Sequence, residues 1–178
     1  MRFRFRVLLL LALLGLGVTA CNRNNPETNK SDQTPPITPS TNSTQSNLAL
    51  SSYKVEWGKV DIPEQMKAGK KTKFKVAVTN SSDATWPAKG TDEKNRGRVS
   101  LSYHWLGAEG DKPVELEGIR TPFPHDIKPG ETFTGEMEVK APAEPGSYRL
   151  QVTLTHQMVT WFEAKKAKTI IAPVKVVR

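Results

Sequence analysis

The chain carries few side chains able to do covalent or acid–base chemistry, and the most reactive is Cys21, its sole cysteine. The thiol directly follows an apolar run and the small residues Thr19 and Ala20, a position suited to acylation; a disulfide would need a second cysteine. The three histidines and the methionines suggest a different chemistry. His156 and Met158, two apart on an expected strand, would project to one side, and imidazole with thioether suits Cu(I). His125 and Met137 lie upstream, so a copper site of His125, His156 and Met158 is an alternative reading, although Met137 alternates with Phe133 and Val139 as a core residue does. Otherwise no cofactor is expected. Catalysis is not expected either: Gly-x-Ser-x-Gly and His-Glu-x-x-His are absent, and the acids sit at turns (Asp83, Asp92, Asp111) or outward strand positions (Glu136, Glu138).

The residues that could contact a ligand are aromatic and polar groups that one core cannot absorb together. Trp161 and Phe162 are neighbours on an expected strand and must face opposite ways, so one of them should be partly exposed. His104 faces away from Tyr103 and Trp105. The segment GIRTPFPHD carries Arg120, Phe123, His125 and Asp126 between stiffening prolines, and a rigid loop with a guanidinium and an aromatic suits a sugar polymer or a protein partner. The competing reading is that these residues lock the loop over the end of the domain, and it is preferred for Arg120 and for Trp86.

These residues must be positioned by strands. Period-two alternation recurs in short runs separated by Gly, Pro, Asn and Asp, and helical periodicity is absent. KTKFKVAVTN places Phe74, Val76 and Val78 inward; RVSLSYHWLG places Val99, Leu101, Tyr103 and Trp105 on one face with Ser100, Ser102 and His104 on the other. TFTGEMEVK, SYRLQVTLTH, QMVTWFE and TIIAPVKVV extend the pattern to about seven or eight strands. The expectation is an all-β antiparallel sandwich, immunoglobulin-like or fibronectin-like, over residues 49–178. PGSY sets Tyr148 at a strand start after a turn, where such folds use a tyrosine to hydrogen-bond across the corner.

Ahead of this domain, Arg2, Arg4 and Arg6 precede a 12-residue apolar run, Val7 to Val18. Spanning a bilayer takes about 20 residues, so residues 1–20 read as a cleaved signal. VTAC resembles the lipobox of bacterial lipoproteins, which implies a mature chain starting at an acylated Cys21 and anchored on the extracytoplasmic side of an envelope membrane. Residues 22–48 are rich in Asn, Thr, Ser and Pro and cannot bury enough apolar surface to order, so 21–48 reads as a disordered tether with an r.m.s. reach of roughly 30 Å. Without the signal arginines the chain has 23 basic and 18 acidic residues, a net charge of +5. That mild excess favours anionic lipids or wall polymers, and no nucleic-acid partner is expected of an exported chain.

The strings VTNSSDATWPAKG, LSYHWLGAEGDKPVELEGIRTPFPHDIKPGE and APAEPGSYRLQVTLTHQMVTWF resemble immunoglobulin-like modules attached to bacterial envelope and glycosyltransferase-type proteins, over roughly residues 70–163. The Thr-Trp-Pro and AP-x-x-PG-x-Y segments are more weakly similar to the four-tryptophan domain of eukaryotic autophagy receptors. The resemblance implies a sandwich that binds or spaces and brings no catalytic residues. The expected protein is a lipid-anchored envelope module that binds polysaccharide or a protein complex.

Overall fold

In the computed structural model the described residues are 48–115 and 118–178; the expected signal, Cys21 and the tether up to residue 47 lie outside them. The strands in chain order are β1 (Val55–Val60), β2 (Gln65–Lys67), β3 (Lys71–Asn80), β4 (Val99–Gly107), β5 (Pro113–Glu115), β6 (Thr121–Pro122), β7 (Thr132–Lys140), β8 (Gly146–His156), β9 (Thr160–Trp161) and β10 (Ile170–Val177). A one-turn 3₁₀ helix, Glu163–Lys165, separates β9 from β10. No helix among the described residues is long and apolar enough to cross a membrane.

Two sheets form, β1-β3-β7 and β2-β10-β8-β4-β5, with β6 added to β4 and β9 to β8. Alternation explains the smaller sheet. Phe74 stands opposite Met137 and Val78 opposite Phe133 on its inner face, while Lys73 meets Glu138 and Lys75 meets Glu136 outside. The larger sheet answers with Val99, Leu101, Tyr103 and Trp105 from β4, Leu150, Val152 and Leu154 from β8, and Val174 and Val176 from β10, all buried. Each fully buried Val, Leu or Phe side chain contributes about 2 kcal/mol, and this apolar layer holds the sandwich together. The partition of β1, β3 and β7 from the adjacent β10, β8 and β4 is an immunoglobulin-like β-sandwich.

The corner tyrosine is as expected: the Tyr148 hydroxyl donates to the Glu144 carbonyl at 3.0 Å. The free edge of β7 is closed by the facing sheet. Its Glu138 and Lys140 amides donate to Thr121 Oγ1 and Tyr103 Oη at 3.1 and 2.8 Å, and Trp105 Nε1 donates to the Lys140 carbonyl at 2.8 Å. Those bonds leave less of the edge open to a further strand.

The fold departs from the expectation in three places. The sandwich is not wholly antiparallel, because β2 pairs in parallel with β10. Pro63 has no amide to continue pairing after β1, and the chain crosses to the larger sheet, where Glu64 accepts from the Lys175 amide at 2.8 Å. QMVTWFE is not one strand. Gln157 to Val159 turn, with Met158 in the left-handed region (φ 59°), before the two residues of β9. Finally, the side of β4 that carries His104, an expected contact, is covered: Ser100, Ser102 and His104 are buried, as are Thr153 and Thr155 on β8.

Candidate functional site

That second buried face is where the polar chemistry gathers. Antiparallel register sets Ser100 beside Thr155, Ser102 beside Thr153 and His104 beside Gln151 on the side of the larger sheet away from the core. The chain after β8 supplies the cover. β9 pairs with Thr155 and His156, and neighbouring strand positions then send Trp161 to the outer face and Phe162 inward. Phe162 is buried at the sandwich end, edge-on to Trp86 (5.5 Å) and Tyr53 (5.0 Å). Trp161 is half-buried, its ring 4.3 Å from the His104 ring and tilted by 57°.

Glu163 ties this cover down. Its Oε1 lies 2.8 Å from His104 Nε2, and its Oε2 accepts from Thr153 Oγ1 at 2.6 Å. Burial pushes the Glu163 carboxyl up, but the hydrogen bonds from His104 and Thr153 outweigh it and hold the group below its usual range. The following 3₁₀ turn closes with Lys166 in the left-handed region and the Ala167 amide on the Phe162 carbonyl at 3.1 Å. Trp161 thus packs against the His104 ring and leads directly into an anchored turn.

Two open cavities flank Trp161. One, about 460 Å³, is lined by His104, Asp111, Gln151, Trp161, Glu163 and Ile171. The other, about 330 Å³, includes Arg120, Gln157, Met158, Thr160 and Trp161. Arg98 stands nearby, its Nη2 donating to Gln157 Oε1 at 3.2 Å; burial, and then the charge of Arg120, push its guanidinium below its ordinary value. Arg98 Nε and Ser100 Oγ are buried without a hydrogen-bond partner among the described residues. This corner therefore combines positive charge with unused hydrogen-bonding capacity.

Of the five contact residues expected from sequence, the structure brings Trp161, His104 and Arg120 to this face. His104, 3% exposed, supports the tryptophan and is not itself an open contact. Phe123 belongs to the core, stacked on Trp86 (6.1 Å, 28°) and edge-on to Phe133 (5.0 Å). His125 is exposed but elsewhere, its Nε2 2.6 Å from Glu131 Oε1. The 119–127 segment is clamped over the sandwich end by paired backbone bonds between Trp86 and Ile127 and by Asp126 Oδ1 accepting the Ala88 amide.

The structure does not set His156 and Met158 on one strand, as the copper reading expects, although both line the cavity beside Arg120. His156 is the last residue of β8 and buried, with Nδ1 3.1 Å from Tyr53 Oη, while Met158 is 53% exposed beyond the turn. The left-handed Met158 backbone breaks the alternation that would have set the two side chains together. Met137 is core. Among the described residues no group of three or more His, Cys, Asp or Glu side chains is placed to hold a metal. Sequence reasoning missed Glu163, Thr153 and Gln151; the one available signal was the loss of alternation at WFEAKKAK, which marks the end of a strand.

No protein-family model matches the chain, and no curated protein sequence matches it. Among solved structures it is similar to part of a beta-glucosidase from Listeria innocua in complex with glucose, at 16% identity over 70% of this chain and 16% of that one, with a TM-score of 0.41. It is also similar to the solution structure of a CARDB domain from Pyrococcus furiosus, at 16% identity over 70% of this chain and 93% of that one, TM-score 0.39. A crystal structure of that domain with di-metal ions aligns at 15% identity over 73% of this chain and 96% of that one, TM-score 0.39. Likenesses this distant carry no information about activity. The described residues form a β-sandwich module.

Proposed function

We propose that this chain is an envelope lipoprotein, acylated at Cys21, that holds a non-catalytic β-sandwich on the extracytoplasmic side of a membrane to bind envelope polysaccharide. The observation that carries the binding role is Trp161: a braced, half-exposed indole between two open cavities lined by hydrogen-bonding groups. A flat apolar ring flanked by polar partners matches a pyranose, which offers an apolar face and a rim of hydroxyls.

The polar cluster favours binding over turnover. In a nucleophilic triad the imidazole sits between hydroxyl and carboxylate and takes the hydroxyl proton. Here the Glu163 carboxylate sits in the middle, so Thr153 hydrogen-bonds to a weak base and no alkoxide is generated. The anchoring half rests on the Arg-rich start, the apolar run and the VTAC junction.

The acylated protein should be retained by immobilised wall or capsule polysaccharide, and Trp161→Ala should abolish retention while leaving the fold intact. Retention unaffected by that change, or crosslinking to one discrete protein partner in its place, would sink the polysaccharide reading. Cys21→Ala should shift the protein out of the membrane fraction and remove palmitate labelling; a variant still wholly membrane-bound would end the lipoprotein reading.

A further inference from the structure

An open cavity of about 730 Å³ lies beyond the two that Trp161 lines. One wall is the stretch by which the chain enters the sandwich, Ala49 to Val55; the other is formed by Val159, Thr160 and the turn Lys165 to Lys168. Lys54, Lys165, Lys166 and Lys168 line it, all exposed, and no carboxylate does. None of the four makes an ion pair among the described residues. The acid at the rim, Asp83, is bound by the Ser51 and Ser52 hydroxyls at 2.6 and 2.8 Å and draws weakly on Lys54.

The platform is rigid. The 3₁₀ turn fixes Lys165 and Lys166, and Trp57 Nε1 donates to the Lys168 carbonyl at 2.8 Å. Like charges held around one concavity repel each other, and the repulsion is relieved when an anionic surface meets them. Apolar groups lie among them: Leu50, Val55 and Val159 line the same cavity, and Met158 stands exposed one residue from Val159.

We propose that this lysine face docks on the anionic headgroups of the membrane that carries the Cys21 anchor. The inference rests on the lipoprotein reading for its geometry: the chain enters the sandwich at Ala49, on the wall of this cavity, so the lysines stand at the end of the domain that follows the Cys21 anchor in sequence. Covalent attachment to a lipid at Cys21 turns docking into an intramolecular step, which raises the effective concentration of the lysines over the headgroups. Basic residues beside an anionic leaflet each strengthen binding about fivefold, and a basic patch is a recognised second signal beside a lipid chain. Val159 and Thr160 line both this cavity and the Arg120–Trp161 cavity, so docking also sets the ligand groove at a fixed height above the lipid.

The test uses the processed chain, residues 21–178, with Cys21→Ser so that no lipid is attached. It should co-sediment with vesicles containing about 30% phosphatidylglycerol, not with pure phosphatidylcholine, and lose binding as salt rises from about 0.1 to about 0.5 M. Replacing Lys54, Lys165, Lys166 and Lys168 together by Gln should weaken binding more than about 100-fold. The same charge removed at exposed positions elsewhere, Lys73, Lys75, Lys112 and Lys128, should weaken it less than about threefold. No preference for anionic vesicles, or equal losses in the two sets, overturns the proposal; so does tighter binding to a soluble glycerol-phosphate polymer, which would make a wall polymer the occupant. Because this protein carries no acyl chain, failure here leaves the anchor standing, and the anchor is tested separately by palmitate labelling of Cys21.

Discussion

Acidification from pH 7 to pH 5 should destabilise this fold through His156. Its imidazole is 1% exposed at the end of β8, with Nδ1 3.1 Å from the Tyr53 hydroxyl and the ring 6.0 Å from the tyrosine ring. Burial lowers its pKa, and a hydrogen bond with the Gly97 backbone only partly opposes this. In the unfolded chain the imidazole takes up a proton near pH 6.5; in the folded chain it does so only at lower pH. The stability linked to His156 is therefore complete above about pH 6.5 and is lost as pH falls toward the folded-state value, at up to about 1.4 kcal/mol per pH unit. The carboxyls held below their usual range, Asp83, Asp92, Glu131, Glu138 and Glu163, lose their contribution at more acid pH. A loss of about 1 kcal/mol by pH 5 would lower a urea midpoint by roughly 0.5 M. The assay is urea unfolding at half-unit steps from pH 7.5 to 5.0 for the native sequence and for His156→Gln. The variant starts less stable, because it loses ring packing, but its midpoint should be flatter across the window. Parallel pH slopes in the two proteins would refute the reasoning.

Three further perturbations probe the parts that position the site. Asn80 is fully buried, its Nδ2 donating to the Ala84 and Ile127 carbonyls and its Oδ1 accepting from the Ser82 amide and hydroxyl, so Asn80→Ala should cost about 3 kcal/mol in a denaturant titration. Glu163→Ala leaves His104 and Thr153 without their carboxylate; it should cost about 2 kcal/mol and also weaken polysaccharide retention, and a loss of stability with retention unchanged would mean that the turn does not position Trp161. Tyr103→Phe combined with Thr121→Val unmasks the β7 amides of Lys140 and Glu138, and should promote self-association measurable by sedimentation velocity.

The inner faces of the strands were legible because their burial is encoded locally. Phe74, Val76 and Val78 alternate with lysines, and the structure buries those three and exposes Lys73 and Lys75. The opposed directions of Trp161 and Phe162 followed from adjacency alone, and the Tyr148 corner from its place after Pro-Gly. The outer face of β4 was not legible in the same way. Alternation says that His104 faces away from Tyr103, but whether that side meets water depends on residues 158–167, about 60 positions further on. Serine, threonine and histidine read as solvated whenever their cover comes from a distant segment. Met158 defeated the strand reading because a left-handed backbone at a non-glycine residue leaves no mark in composition.

A sheet face of Ser100, Ser102, His104, Gln151, Thr153 and Thr155 would be stable bare in water, so covering it costs desolvation that has to be offset. Part of the offset is visible: Glu163 bonds His104 and Thr153, Ser102 Oγ reaches the Ile119 carbonyl at 3.4 Å, and Gln151 Nε2 reaches Thr169 Oγ1 at 3.2 Å. The offset is incomplete, since Ser100 Oγ and Arg98 Nε stay unbonded beside Arg120. In the proposed binding role this cover has a consequence. The polar groups under the cover brace the tryptophan, so little ordering entropy remains to be lost when a ligand arrives at its exposed side. In that role the desolvation of the covered face is the cost of holding Trp161 in place, and a Trp161 already held in place lowers the cost of binding.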